Sequence, residues 1–358
     1  MSRVSSLKYL SVFSIPIVAW IAFNSHSYWT YLTVVEVFVL IPFIELFIKP
    51  DESNMEAAEE ELIRKDPIYD WMLYLTVPIL YFFLFIYLQK MSTEILPLSE
   101  VIGHTLTMGI LCGGLGINVA HELGHRSTKH EKTFSKMLLL CSLYMHFFIE
   151  HNRGHHKNVS TEDDPASARF GESLFAFWFR SIVFSYISAW KIERSRLVKN
   201  GHSFFSVRNE MLAFEIIQTS FLLLIWYFFG LTSLLLFFAA ALVGILQLET
   251  VNYIEHYGLS REKKKSGNYE RVMPWHSWNS NHIIGRLMLF ELSRHSDHHY
   301  LASRKYQILR HHGDSPQMPT GYPGMMVLAT IPPLWFYVMH RQIKKVFAPG
   351  NLSKEATV

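Results

Sequence analysis

Histidines are the residues of this chain whose number and spacing could support chemistry. Nine of the 19 histidines lie in four short segments, His121–His125, Glu150–His156, Asn252–Tyr257 and His295–His299. Residues three or four positions apart share one face of a helix. The spacing therefore predicts three sets of histidines, each on one face of a helix, that could each bind a metal: His121 with His125, His151 with His155, and His295 with His298 and His299.

The number and type of these ligands narrow the choice of metal. Nine imidazoles are too many for one ion, whereas four or five on each of two ions is a reasonable set. Imidazole suits zinc, copper, iron and nickel, but a structural zinc needs only four ligands. The two cysteines, Cys112 and Cys141, lie in apolar runs and exclude a CxxC site or a disulfide scaffold. Redox-active iron with positions open to oxygen is the interpretation we favour.

Acidic residues beside the histidines are expected to orient the rings from behind. They are Glu150, Glu255, Asp297, Asp163 and Asp164. The other ten histidines are interpreted as ordinary surface or core residues, although two of them, His276 and His282, are near the fourth segment. The ten are His26, His104, His130, His146, His202, His276, His282, His311, His312 and His340.

Composition indicates what must position these segments. Half of the 358 residues are hydrophobic, 18% are charged, and the mean hydropathy is +0.14. Disordered chains lack such apolar content, and a net charge of +3 is too small to suggest a nucleic-acid partner. A helix that spans a membrane needs about 20 mostly apolar residues. Six are predicted, at residues 7–23, 28–48, 71–88, 98–120, 211–229 and 231–254.

The basic residues predict how the spans are oriented. Segment 121–210 holds 13 Lys or Arg and segment 257–315 holds 10, whereas the short links at 24–27 and 89–97 hold one between them. Because positive charge stays on the cytoplasmic side, both termini and both long segments are predicted to be cytoplasmic. Residues 134–149 and 175–190 are predicted to be helices against the bundle or in the membrane interface, and residues 325–339 stay ambiguous.

These patterns predict one all-α membrane domain over residues 1–358. About six transmembrane helices would carry a cytoplasmic helical cap, built from segments 121–210 and 255–358. The first and fourth histidine segments, His256 and segment 150–156 would then meet at one face of the bilayer.

In its histidine segments the chain resembles the integral-membrane alkane 1-monooxygenases of bacteria. The matching strings are 121–125 (HELGH), 147–156 (FFIEHNRGHH), 252–259 (NYIEHYGL), 292–299 (LSRHSDHH), 278–282 (WNSNH) and 319–324 (PTGYPG). The string at 252–259 is the specific one; the others also suit the wider group of membrane desaturases and hydroxylases.

The resemblance implies a six-span bundle with a non-haem di-iron centre and no haem or flavin. It implies O2 as co-substrate and terminal hydroxylation of an n-alkane, taken from the bilayer, to a primary alcohol. The family's nine ligands correspond to His121, His125, His151, His155, His156, His256, His295, His298 and His299.

The resemblance also implies partners, a location and a substrate size. Electrons would come from NADH through a rubredoxin reductase and a separate rubredoxin, since the chain has no CxxC pairs of its own. The location would be the bacterial inner membrane. In this family a bulky residue before the proline of the second span can block the substrate tunnel. Val37 occupies that position here, so substrates longer than octane are expected, toward dodecane and beyond.

Other functions would also fit parts of this pattern. A membrane fatty-acyl desaturase or an aromatic-methyl hydroxylase would also use clustered histidines and iron. A zinc protease would use the HExxH string with Glu122 as general base, but it would leave most of the histidines unexplained. A metal transporter should place its ligands near the bilayer midplane, whereas these lie at one face.

Overall fold

The computed structural model of the chain describes residues 6–348, which are helical apart from turns, loops and two isolated β-bridges. The helices are α1 (Leu7–Phe23), α2 (Ser27–Glu45), α3 (Ala57–Lys65), α4 (Ile68–Thr93), α5 (Leu98–Gly124), α6 (Lys129–Leu140), α7 (residues 147–158), α8 (Leu174–Lys199), α9 (Glu210–His256), α10 (Ile283–Met288), α11 (His295–Tyr300), α12 (Tyr322–Ala329) and α13 (Pro332–Val346). The all-α prediction is therefore confirmed for this part of the chain.

Four of these helices, α2, α4, α5 and α9, are long and apolar enough to cross a membrane, and α1 is a shorter apolar helix. Large apolar side chains such as Phe43, Phe85 and Trp226 are more than half exposed on them. A soluble protein would bury such side chains, whereas lipid solvates them well. The predicted membrane character is confirmed.

Helix α9 contains two of the predicted spans. Its 47 residues are interrupted at Gly230, where φ is 81° and ψ is 173°, a backbone conformation open essentially to glycine alone. The rings of Phe221 and Phe237 lie 5.7 Å apart. In a continuous helix 16 residues would separate them by about 24 Å, so residues 210–229 and 231–256 fold back on each other as a hairpin.

The prediction of one helix over residues 134–149 is wrong. Helix α6 ends at Leu140 and α7 begins at Phe147. Between them Leu143 has a φ of 52°, which no helix accommodates. The other two uncertain stretches are helical: residues 175–190 lie within α8, and residues 325–339 are divided between α12 and α13.

The cap is attached to the bundle by buried polar contacts. The Arg294 guanidinium, which precedes α11, donates to the backbone carbonyls of Asp51, Ser53 and Leu309. Glu291 accepts from the Tyr9 hydroxyl of α1 at 2.7 Å. These bonds fix the start of α11 against the N-terminal helices and the loop after α2.

A second group of contacts fixes the end of α9 under the cap. It is an aromatic cluster of fully buried side chains: Tyr253, Tyr257, Trp278, Tyr322 and Trp335. The indole nitrogen of Trp278 donates to the Tyr257 carbonyl at 2.9 Å. The C-terminal end of α9, which carries the third histidine segment, is therefore held in one position.

Candidate metal centre

The four histidine segments come together at one end of the bundle. His121 lies in the last turn of α5, and His256 is the last residue of α9. Helices α7 and α11 bring the remaining two segments to them. All nine predicted histidines fall into two groups, and within each group the ring nitrogens lie within 4.8 Å of one another. Each group could hold a metal ion.

The first group has five rings: His121, His125, His151, His156 and His298. Their Nε2 atoms converge. The separations are 2.8 Å for His121 to His298, 3.1 Å for His125 to His151, 3.0 Å for His151 to His156 and 3.1 Å for His156 to His298. Ligands at right angles around an ion, each at about 2.1 Å from it, lie about 3 Å apart.

The second group has four rings: His155, His256, His295 and His299. Nε2 of His295 lies 3.3 Å from Nε2 of His256 and 3.1 Å from Oε2 of Glu255. Nε2 of His155 and both ring nitrogens of His299 are buried without a hydrogen-bond partner. Buried polar atoms are almost always satisfied, so these orphaned nitrogens fit a bound cation.

The three predicted sets of histidines are only partly correct. His121 and His125 do share one group, but His151 and His155 are in different groups, and His298 is separated from His295 and His299. Residues 151–155 form a π-helical turn, which holds about one more residue than an α-helical turn. His155 is therefore rotated away from His151, and α7 supplies ligands to both groups.

The burial of the rings sets their protonation. Burial lowers the pKa of His125 to about 3. It also holds the pKa well below the ordinary histidine value for five others, namely His151, His156, His295, His298 and His299. A neutral ring keeps a lone pair on one nitrogen, which is the form that binds a metal.

Asp164 orients one ring from behind, as expected for an acidic neighbour. Its Oδ2 lies 2.8 Å from Nδ1 of His155 and accepts from the Ser167 hydroxyl at 2.6 Å. Burial alone would raise the pKa of Asp164, but the contacts with His155 and Ser167 outweigh it and lower the pKa. This carboxylate–histidine arrangement leaves Nε2 of His155 facing its group.

The other acidic neighbours differ from the expectation. The Asp297 carboxylate contacts no ring of either group: it pairs with Arg304 at 2.9 Å, His312 at 2.7 Å and the backbone N–H of Arg310. Glu150 has a buried Oε1 without a partner. Asp297 therefore orients no ring directly, the Oε1 of Glu150 accepts from none, and Asp163 is exposed. Glu255 lies at the inward Nε2 of His295 rather than behind the ring.

The HExxH string does not have the geometry of a protease. The Glu122 carboxylate pairs with Arg126 at 2.7 Å and accepts from the backbone N–H of Tyr306. It is therefore tied to neighbours of its own rather than to a water on the ion. Its role here is to hold the loop before the 3₁₀ turn Tyr306–Ile308.

An apolar cavity leads from the membrane helices to the first group. His121 lines one end, and the wall is shared by α1, α2, α5, α9, α10 and α12 through residues that include Ile15, Val37, Gly114, Leu248, Met288 and Met326. Two π-helical turns, Glu36–Leu40 and Cys112–Ile117, contribute to this wall. Such turns are rare and are often found at functional sites.

Sequence reasoning placed Val37 near a substrate tunnel, and Val37 does line this cavity. It missed two other residues of the wall, Asn118 and Gly114. The position of Asn118 carried a signal, because it lies three residues before His121 on the same face of α5. Gly114 lies in the π-helical turn Cys112–Ile117, where α-helical spacing does not predict the face. Gln247 of α9 is the remaining amide in the wall.

Comparison with known proteins agrees with this geometry. Residues 96–329 match the fatty acid desaturase family. Alkane 1-monooxygenase 1 of Alcanivorax borkumensis is 40% identical, over 92% of this chain and 81% of the relative. Alkane 1-monooxygenase 1 of Pseudomonas aeruginosa is 38% identical, over 95% of this chain and 90% of the relative. The hydroxylase component of a xylene/toluene monooxygenase from Pseudomonas putida is 25% identical, over 93% and 87%.

Apolar helices that end in converging histidines, together with this match, define the class: the chain belongs to the fatty acid desaturase family of membrane proteins. Within that class it belongs to the alkane 1-monooxygenases, and it is an oxidoreductase of the monooxygenase type. The resemblance seen in the sequence is confirmed.

Proposed function

We propose that the protein hydroxylates the terminal carbon of medium-to-long-chain n-alkanes with O2, giving primary alcohols at a non-haem di-iron centre. One observation carries the proposal: an apolar cavity reaches His121, a member of the five-ring group. Relatives named alkane 1-monooxygenase support the same substrate class.

The donor set fits two irons. Nine imidazoles in groups of five and four, without a cysteine, suit a metal of intermediate softness that keeps positions free for other ligands. When bound, the irons would supply oxygen activation, which no side chain of this chain can provide. The histidines hold the ions, Asp164 orients His155, and the buried surroundings exclude water.

The reaction needs two electrons and two protons, because one oxygen atom enters the terminal C–H bond and the other leaves as water. We propose a rubredoxin as the electron donor, supplied by an NADH-dependent reductase. Cys112 and Cys141 are buried free cysteines, and two thiols are too few for a cysteine-bound iron site, which takes four. The donor is therefore a separate protein, which docks from the cytoplasm at the inner membrane.

A turnover assay with isotopic oxygen tests the proposal. Membranes containing the protein receive rubredoxin, its reductase, NADH, dodecane and ¹⁸O2, and mass spectrometry follows the products. Labelled 1-dodecanol is the expected result. The matched variants are His256→Ala, expected to lose iron and turnover, and His202→Ala, a half-buried histidine beside Arg208 that is expected to change neither.

Unlabelled alcohol would exclude O2 as the source of the oxygen. If iron-loaded membranes with a working donor give no alcohol, acyl chains and aromatic methyl groups become the substrates to test. Full iron content and turnover in His256→Ala would contradict the ligand assignment.

A further inference from the structure

Asn118 is a polar residue in the wall of the apolar cavity, one helical turn before His121. Its Nδ2 donates to the backbone carbonyl of Leu289 at 3.2 Å. Its Oδ1 is buried and has no hydrogen-bond partner among residues 6–348. A carbonyl can only accept, so the nitrogen must face Leu289 and the oxygen must face elsewhere.

A buried acceptor without a donor destabilises a protein. Most other residues of the wall are apolar, for example Ile110, Leu248 and Met288. A leucine at position 118 would fill similar space without an orphaned oxygen. An amide here therefore calls for a polar group that enters the cavity.

The substrate cannot be that group, since an n-alkane has neither a donor nor an acceptor. The product can, because hydroxylation creates a hydroxyl at the chain terminus that lies nearest His121. Asn118 is three residues from His121, which is about 4.5 Å along the helix axis. A hydroxyl formed beside His121 would thus appear about one helical turn from the Asn118 amide, in the same cavity.

We propose that Asn118 is the recognition residue for the primary alcohol, whose hydroxyl donates to Oδ1. The cavity then distinguishes a chain that ends in a methyl group from one that ends in a hydroxyl. The alcohol therefore binds more tightly than its apolar contacts alone would allow. It inhibits the enzyme because it competes with the alkane for the cavity. This inference rests on the proposed function, because it assumes that the oxygenated terminus arises at His121.

The test compares Asn118→Leu with Met288→Leu, which changes an apolar residue of the same wall and keeps the amide. The inhibition constant of 1-dodecanol and the KM of dodecane are measured for both. Asn118→Leu is expected to raise the inhibition constant roughly five- to tenfold, as for one lost hydrogen bond, and to leave the KM within about twofold. Met288→Leu alters apolar contacts with the alkane and the alcohol alike, so it should leave the ratio of the inhibition constant to the KM unchanged. An unchanged inhibition constant in an active Asn118→Leu enzyme would overturn the proposal.

A second measurement uses the unaltered protein, in case Asn118→Leu fails to fold. 1-Fluorododecane has the length of 1-dodecanol but no hydrogen to donate. The alcohol is expected to be the stronger competitor by the same factor, and equal competition would overturn the proposal.

Direct binding separates this inference from the proposed function. Tritiated 1-dodecanol is added to the protein in nanodiscs, and the signal of empty nanodiscs is subtracted. Saturable binding that weakens in Asn118→Leu supports the inference even if no alkane is turned over, a result that would contradict the proposed function alone. Saturable binding that does not change in Asn118→Leu contradicts the inference alone.

Discussion

Single residues decide which ring nitrogens face the two histidine groups. The Asp164 carboxylate, the Ser167 hydroxyl and Nδ1 of His155 form one buried chain of hydrogen bonds. These hydrogen bonds fix the ring orientation and leave Nε2 of His155 facing the second group. His155 lies in the π-helical turn of α7, so its direction depends on both the turn and the carboxylate.

Asp164→Asn should therefore weaken the second group specifically. An amide is uncharged and a poorer acceptor, so the His155 ring loses part of its orientation. Iron affinity or turnover is expected to fall about 10- to 100-fold, the usual effect of such a partner. The loss is measured as the iron content per protein and as the rate of alcohol formation. Asp163→Asn is the matched control, because Asp163 is exposed; equal losses in both variants would contradict the assigned role.

Gly114 is the second residue whose position argues for a role. A Cβ built on it meets no atom within 4 Å, whereas one on the adjacent Gly113 would lie 2.9 Å from Oε1 of Gln247. Close packing explains Gly113 but not Gly114. Glycine costs a helix about 0.5–1 kcal/mol relative to alanine, and the open space at Gly114 belongs to the cavity.

Gly114→Leu is expected to fill the cavity from the α5 side and to abolish turnover of long alkanes first. Gly114→Ala should have the same effect in smaller measure. Product formation from a series of alkanes of increasing length measures it. Gly313→Leu is the control, an exposed glycine with open space around it. A uniform loss over all chain lengths would indicate misfolding rather than a filled cavity.

At the scale of elements, the face of α5 that holds Ile110, Gly114, Asn118 and His121 forms one side of the cavity. The 11 residues from Ile110 to His121 correspond to about 16 Å of helix. Helix α2 contributes to the opposite wall through Val37, within its π-helical turn. The substrate chain is thus expected to lie along α5 between these helices.

Val37→Trp should shorten the usable part of this cavity. The larger ring takes the space of the distal chain, so dodecane turnover is expected to fall well below octane turnover. Val39→Trp is the matched control, because Val39 of the same turn is exposed on the outer side of the helix. An unchanged chain-length profile in Val37→Trp would refute the tunnel role of this position.

The elements also show how far the sequence could be interpreted. Long apolar runs predicted where the apolar helices lie, because a bilayer-spanning helix requires a minimum length. The grouping of the histidines could not be predicted, since the i, i+4 rule assumes an α-helix and residues 151–155 form a π-helical turn. The hairpin within α9 was predicted as two spans, and Gly230 is the residue that separates them. The role of Asp164 depended on the loop after α7, whose path carries no periodic signal.

At the scale of the whole molecule, apolar faces surround the spans and the histidine groups lie at one end of them. The exposed loop between α4 and α5 lies at the other end of these helices from His121. Segments 121–210 and 257–315 carry most of the basic residues. From the positive-inside rule we expect the histidine groups to lie on the cytoplasmic side, where NADH and the proposed electron donor would reach them.

Labelling of single cysteines tests this orientation. Cys112 and Cys141 are buried, so they give little background. Ser92→Cys lies at the exposed end of α4 and Ser266→Cys lies in the exposed cap loop. A membrane-impermeant maleimide added to spheroplasts is expected to label Ser92→Cys and to reach Ser266→Cys only after lysis. The reverse pattern would place the cap outside the cytoplasm, where neither NADH nor a cytoplasmic rubredoxin could reduce it, and the proposed electron route would fail with it.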